Sequence, residues 1–201
     1  MNSICVRKAT ENDNFFRIAS CLYLTDPYIY PAAFGNDRDR AARAISVLMS
    51  IENCLLSYKN MLVALADDEI CGVLLFTKGD SNWELNEYVD RIHTMIPSID
   101  NFIYVSDTYF SVAANTPPDA EVEVIACCVK PSFRNMGIGE KLIHGIFYLY
   151  PDCPMSLDVL ANNTAAIRLY QKCGFEITES FRGFSMEESS RPDCYRMVKS
   201  Q

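Results

Sequence analysis

Apolar positions along this chain follow two periods, and the switches between them outline its elements. Ile4-Cys5-Val6-Arg7 reads as a short first strand. Thr10 and Asp13 are candidate caps for a helix through Phe15, Phe16, Ile18, Ala19 and Leu22. Asp26-Pro27 and Tyr30-Pro31 break the pattern, because a residue before proline is pushed away from helical backbone. A second helix is expected over residues 38–57, with Ala41, Ala44, Ile45, Leu48 and Ile51 on one face. Residues 61–66 and 70–77 are β-rich and joined by Asp67-Asp68-Glu69, which predicts a hairpin.

Residues 83–95 look helical, and 101–112, rich in Phe, Ile, Tyr and Val, suit a strand or an extended loop. A clear break follows at Asn115-Thr116-Pro117-Pro118-Asp119. Beyond it the pattern predicts a strand over 122–129, a helix over 136–150 ended by Pro151, and a strand over 155–160. A helix over 164–173, stopped by Gly174, and closing strands over 175–178 and 194–198 complete the chain. Strand and helix alternate through this half, which points to an α/β or mixed α+β sheet. No internal repeat, low-complexity tract or long linker interrupts it.

Composition narrows the class. At 201 residues, with 49% apolar and 22% charged positions, the chain suits one folded domain spanning 1–201. No apolar run reaches bilayer length, and the N-terminus lacks a basic leader followed by an apolar stretch. The net charge of −8 disfavours nucleic-acid partners and would draw in cationic ones such as amines. The nine cysteines include no Cys-x-x-Cys pair, and there are only two histidines, so a zinc site is not expected. The expectation is reduced, buried thiols and a cytoplasmic protein with no metal and no membrane partner. A homodimer is compatible with these patterns.

The segment with the most chemical content is Val129-Lys130-Pro131-Ser132-Phe133-Arg134-Asn135-Met136-Gly137-Ile138-Gly139. A β-rich run ends in a glycine-bearing turn, and a helix with a stripe of Ile138, Leu142, Ile146 and Leu149 begins. Free backbone N–H groups and the helix dipole make such a terminus an anion site. Glycine permits close approach of a phosphate, and Arg134 adds a forked positive charge. The P-loop ending is absent, since Gly139-Glu140-Lys141 carries no Lys-Ser/Thr, and the dinucleotide fingerprint lacks its third glycine. Arg134, Gly137 and Gly139 match the remaining pattern, Arg/Gln-x-x-Gly-x-Gly/Ala, a loop for the pyrophosphate of acetyl-CoA. A glycine turn without a ligand is the alternative.

With these residues the chain resembles the GNAT superfamily of N-acetyltransferases. A second block, from Leu157-Asp158-Val159-Leu160 through Asn163-Thr164-Ala165-Ala166, Leu169-Tyr170 and Gly174-Phe175, is similar to the family's strand, helix start, Leu-Tyr pair and Gly-Phe turn. Val6-Arg7-Lys8-Ala9-Thr10 resembles a family start. The specific resemblance covers residues 121–178, whereas 79–118 departs from the usual short connection and reads as an insertion. The resemblance implies a twisted central sheet of about six to seven strands flanked by helices, and acetyl-CoA as co-substrate. It further implies pairing of the pantetheine arm with the backbone of Cys127, Cys128 and Val129. Arg134, Asn135, Met136, Gly137, Ile138, Gly139 and Glu140 would hold the pyrophosphate. Asn163 would contact the cofactor, a helix N-cap being the simpler alternative.

The same resemblance makes Tyr170 the acid that protonates the departing thiolate, against a packing role in a helix face. A base is needed as well, since an alkyl amine with a pKa of about 10.4 costs about 4.6 kcal/mol to deprotonate at pH 7. Glu123 matches the base position of the histone-acetylating branch, and Asp158 that of the branch acetylating ribosomal-protein N-termini. Glu121, two residues from Glu123, projects to the same sheet face. The order of preference is Glu123, Asp158, Glu121, with structural carboxylates as the alternative.

Strand alternation sends Cys127 and Cys128 to opposite faces, and neither has a histidine nearby in sequence, which disfavours an acyl-enzyme. His93 reads as a packing or surface residue. The expected reaction is direct transfer to a primary amine, small or peptidic; a non-catalytic acyl-CoA sensor on the same fold is the other reading. Tyr23, Tyr28, Tyr30, Trp83, Tyr88, Tyr104 and Tyr109, with Asp26, Asp107, Glu187 and Glu188, are candidates to line the acceptor pocket.

Overall fold

The computed structural model describes residues 3–79 apart from 29, 32–35 and 53, and residues 121–200 apart from 184, 187, 188 and 191. The helix expected over 83–95, the strand or loop over 101–112, and Trp83, Tyr88, His93, Tyr104, Asp107, Tyr109, Glu187 and Glu188 lie outside the described residues.

Strand β1 (Ile4–Lys8) leads into α1 (Phe15–Leu22). The cap of α1 is neither Thr10 nor Asp13 but Asn14, whose side chain accepts from the backbone N–H of Arg17. Asp13 is committed elsewhere: it takes both Arg7 guanidinium nitrogens, at 2.8 and 2.6 Å, and the N–H of Thr10. Asp37 caps α2 (Arg38–Met49) by accepting from Arg40. This helix stops well short of residue 57. Ser50 and Ile51 close tight bonds to the Val47 and Leu48 carbonyls, and the Asn60 side-chain amide occupies the Cys54 and Leu55 carbonyls. Those carbonyls are therefore bonded without a continued helix.

The hairpin β2 (Met61–Ala66) and β3 (Glu69–Lys78) turns at Asp67 and Asp68, with φ of 46° and 66°. Two consecutive left-handed residues suit the twist of a two-residue hairpin, and aspartate tolerates that region. After β4 (Val122–Val129) comes α3 (Ile138–Leu149), then β5 (Met155–Leu160) and α4 (Thr164–Lys172). Gly174, at φ 91°, ends α4. Strand β6 (Glu176–Phe181), a two-residue hairpin β7 (Ser185–Met186) and β8 (Ser189–Ser190) absent from the pattern-based expectation, and β9 (Cys194–Lys199) follow.

Seven strands form one mixed sheet in the order β1-β2-β3-β4-β5-β9-β6. Among the described strands only β4 and β5 pair in parallel, joined by the crossover through α3. Alternation splits the core in two. Met61, Val63, Val73, Leu75 and Cys128 face α1 and α2, whereas Leu62, Leu74, Val122, Val124, Leu157 and Val159 face α3 and α4. Gly72 lets β3 and α3 come close: a Cβ there would lie 3.0 Å from the Cys128 carbonyl oxygen and 3.1 Å from both Ile138 and Leu142. None of the nine cysteines is in a disulfide, and most are buried, but Cys5 is exposed on the edge strand β1.

Candidate acetyl-CoA site

The sheet opens at the parallel pair of β4 and β5. β4 runs against β3 from Val122 to Val129, with a register shift that leaves Ile125 as an extra residue between Val124 and Ala126. Against β5 it pairs only through Val122, Glu123 and Val124, opposite Met155, Ser156 and Leu157. From Asp158 onward β5 keeps its pairing with β9. The C-terminal halves of β4 and β5 therefore diverge, and the backbone of residues 126–129 presents an edge that β5 leaves unbonded. A ligand lying in this gap could pair with that edge as an added strand would.

The β4–α3 connection stands at the mouth of the gap. Lys130 anchors it: its N–H bonds the Cys71 carbonyl, and its ammonium meets Glu69 at 3.0 Å. A single 3-10 turn, Pro131–Phe133, leads to Arg134, whose Nε donates to the Val129 carbonyl at 3.4 Å. Asn135 (φ 63°) and Gly137 (φ 74°) are both left-handed. This explains why the helix begins at Ile138 rather than at residue 136. Asn14, Asp37 and Asn163 cap the other three described helices with side-chain oxygens, but no side chain caps α3. Among the described residues none accepts from the N–H groups of its first turn, which begins beside exposed Arg134, Asn135, Met136 and Gly137.

Three expected pyrophosphate contacts change meaning. The Ile138 side chain is fully buried in the core, so only its backbone is on offer. Glu140 is paired with Lys172 at 2.6 Å, a link between α3 and α4 that holds its carboxyl below the usual range and offsets its charge. Gly139 is needed for packing: a Cβ there would sit 2.8 Å from Leu169 Cδ2. Gly137, in contrast, has nothing within 4 Å of its Cβ direction.

Tyr170 rises from α4 into the core on the α3 side, edge-on to Phe175 with ring centroids 6.0 Å apart. Burial, with the thiols of Cys127, Cys173 and Cys128 as electrostatic neighbours, pushes its phenol well above the ordinary value. It stays protonated throughout the working pH range. Asn163 is a helix cap, accepting from Ala166 at 3.2 Å.

The three candidate bases meet on the opposite face, gathered by a residue that sequence reading missed. Arg196 Nη1 contacts Glu123 Oε1 and donates to Asp158 Oδ1 at 3.2 Å, while Nη2 donates to Glu121 Oε1 at 3.2 Å and to Ser156 Oγ at 2.7 Å. Burial pushes Glu123 above the usual carboxylate range; Arg196 opposes this, and Asp158 and Glu121 add to it. A carboxylate so raised is a stronger base than an exposed one. The only advance sign of Arg196 was a charge inside the otherwise apolar run Cys194-Tyr195-Arg196-Met197-Val198.

Cys127 and Cys128 do face opposite sides of the sheet. Burial pushes both thiols up to about 12, so neither is a nucleophile near neutrality. Of the aromatic acceptor candidates, Tyr30 is buried against Tyr23 at 5.9 Å, and the Asp26 carboxylate accepts the Tyr28 N–H. Among the described residues, no group of His, Cys, Asp and Glu is arranged to hold a metal ion, and no helix is long and apolar enough to cross a membrane.

A mixed α/β sheet split at the parallel β4–β5 pair, with an uncapped helix at the split, defines the class of fold. The model of the acetyltransferase (GNAT) family matches residues 29–175, and the chain belongs to that family. Solved structures agree in fold. An N-acetyltransferase from Staphylococcus aureus Mu50 superposes with a TM-score of 0.67 at 18% identity, over 96% of this chain and 99% of that one. A Bacillus subtilis acetyltransferase in complex with CoA gives 0.56 at 16% identity, over 99% of both chains. Arabidopsis thaliana Naa50 in complex with the bisubstrate analogue CoA-Ac-MVNAL gives 0.56 at 21% identity, also over 99% of both.

Proposed function

We propose that this acetyltransferase moves the acetyl group of acetyl-CoA onto a primary amine by direct attack. The uncapped start of α3 at the mouth of the β4–β5 opening carries the reading, because it joins an anion site to a free strand edge. The N–H groups of 137–140 and Arg134 hold the pyrophosphate. The backbone of Cys127, Cys128 and Val129 pairs with the pantetheine arm, and Asn163, with its carbonyl oxygen used in the cap, offers its amide nitrogen. Acetyl-CoA supplies an activated thioester carbonyl.

The acceptor enters from the face that bears Glu123. Glu123, with Asp158 second and Glu121 third as alternative bases, takes a proton from the amine. The nitrogen bonds to the carbonyl carbon, and a β4 N–H between Cys127 and Val129 stabilises the oxyanion. The C–S bond breaks, Tyr170 gives its proton to the sulfur, and the excess proton left on the amide nitrogen departs through water as the phenolate is reprotonated. The acid and base lie on opposite faces of the sheet, and the gap between β4 and β5 is where both can meet one thioester.

Neighbours of similar fold include Naa50 with its peptide-containing analogue and the ribosomal-protein-S18-alanine N-acetyltransferase of Escherichia coli. They support a peptide N-terminus as one acceptor to test beside small amines. The test follows free thiol released from acetyl-CoA with putrescine, kanamycin, a lysine peptide and a Met-initiated peptide. Release at least about tenfold above the amine-free rate with one of them is the expected outcome. Tight acetyl-CoA binding with no amine-dependent release would instead mark a sensor.

A further inference from the structure

Arg196 sits where the sheet begins to part. Its strand, β9, pairs with β5 so that Arg196 lies opposite Asp158, and with β6 so that it lies opposite Glu179. From there its guanidinium reaches past β5 to β4, bonding Glu121 and Glu123 as well as Ser156 and Asp158. All four charged side chains in this knot are nearly buried, at 10–12% exposure. Thr77 of β3 faces Glu123 across the sheet, with Lys78 next to it, and exposed Glu179 is the neighbour on β6.

The Arg196 guanidinium thus bonds three carboxylates in a nearly buried site. One bidentate carboxylate would take two of the five N–H donors of a buried arginine. Here the fork is divided, each carboxylate receiving one contact. Glu123 is held by Oε1, and Oε2 takes no hydrogen bond from a described residue.

We propose that Arg196 is a positioning residue for amine acetylation, holding Glu123 by Oε1 at the start of the β4–β5 opening so that Oε2 is the atom left to take the amine proton. This rests on Glu123 being the base. The guanidinium charge also favours the carboxylate form of Glu123 against burial and against the repulsion of Asp158 and Glu121. The signs follow directly. Removing Arg196 raises the pH needed to deprotonate Glu123, and removing the Glu121 charge lowers it. Loss of the charge moves that pH whatever else the arginine does, so the positioning role is read from kcat in a variant that keeps the charge and loses the fork.

The test uses the full chain with R196K, R196M, E121Q and E123Q. The Glu123 carboxyl is titrated by 13C NMR, assigned through E123Q. The pH profile of kcat/KM is measured with the amine that gives most thiol release. In R196M, the acidic limb and the NMR midpoint should move up by about one to three pH units. Turnover at pH 7 should fall about 10²-fold and recover partly as pH rises. In E121Q both should move down. In R196K the midpoint should stay near that of the wild type, because the charge remains, while kcat drops about tenfold for want of the fork.

If R196M does not fold, R196K decides. Wild-type kcat in R196K overturns the inference, whatever the midpoints do, and leaves the acetyltransfer reading intact. An acidic limb that survives in E123Q removes Glu123 as base, and this inference with it.

Discussion

Tyr170→Phe is expected to lower kcat by about 10²- to 10⁴-fold, the usual range for losing a general acid. Affinity for acetyl-CoA should stay within about twofold, because the phenol is needed only as the C–S bond breaks. The fold should tolerate the change: phenylalanine keeps the edge-on contact with Phe175 and the packing in the α3-side core. An acid as weak as the Tyr170 phenol would be a poor donor to a thiolate in water. Within this core the balance differs, since burial already pushes the neighbouring Cys127 and Cys128 thiols up to about 12. A CoA thiolate expelled there is desolvated in the same way and becomes a comparably strong base. The variant and the wild type are compared by steady-state thiol release and by calorimetry with acetyl-CoA. Unchanged turnover would transfer the proton donation to water and leave Tyr170 a packing residue.

Gly137→Asp is expected to weaken acetyl-CoA binding by about 10²-fold or more, since it sets a carboxylate where the pyrophosphate charge belongs. The position suits a clean test. Nothing lies within 4 Å of a Cβ there, so the side chain clashes with no neighbour. Its left-handed φ of 74° is one that aspartate and asparagine accept better than other residues. Gly137→Asn is the control: it carries the same backbone strain without the charge, and should lose no more than about tenfold. Gly139, the more obvious target from sequence, is the poorer one, because a side chain there pushes on Leu169 and confounds binding with helix packing. Equal, wild-type affinity in both Gly137 variants would move the phosphates away from the α3 terminus.

How much of this was legible differs by element, for physical reasons. Strands Val122–Val129 and Met155–Leu160 can be read to the residue, because apolar runs end abruptly at Lys130-Pro131 and Ala161-Asn162-Asn163. The end of α2 cannot, since Ile51 and Leu55 continue its apolar spacing; Asn60 takes the carbonyls in a bond of five and six residues' separation that no periodicity records. The loop Arg134–Gly139 is readable as a phosphate site from glycine and arginine alone, but not the left-handed Asn135 or the contact of Gly139 with Leu169. The carboxylate cluster was half visible. Glu123 and Asp158 stand on neighbouring strands with Glu121 just before the first, whereas Arg196 lies 73 residues from Glu123 and reaches it because β9 inserts between β5 and β6.

The claim on which the rest depends is that acetyl-CoA lies in the β4–β5 opening with its pyrophosphate on α3. Backbone amide NMR of the wild-type chain during titration with acetyl-CoA tests it most directly. The expected result is saturable shifts concentrated at Cys127, Cys128 and Val129, at residues 134–140 and at Asn163, with α1 and β1 unmoved. Saturable shifts that leave those amides in place and fall elsewhere in the chain, or no shift at millimolar acetyl-CoA, would contradict it.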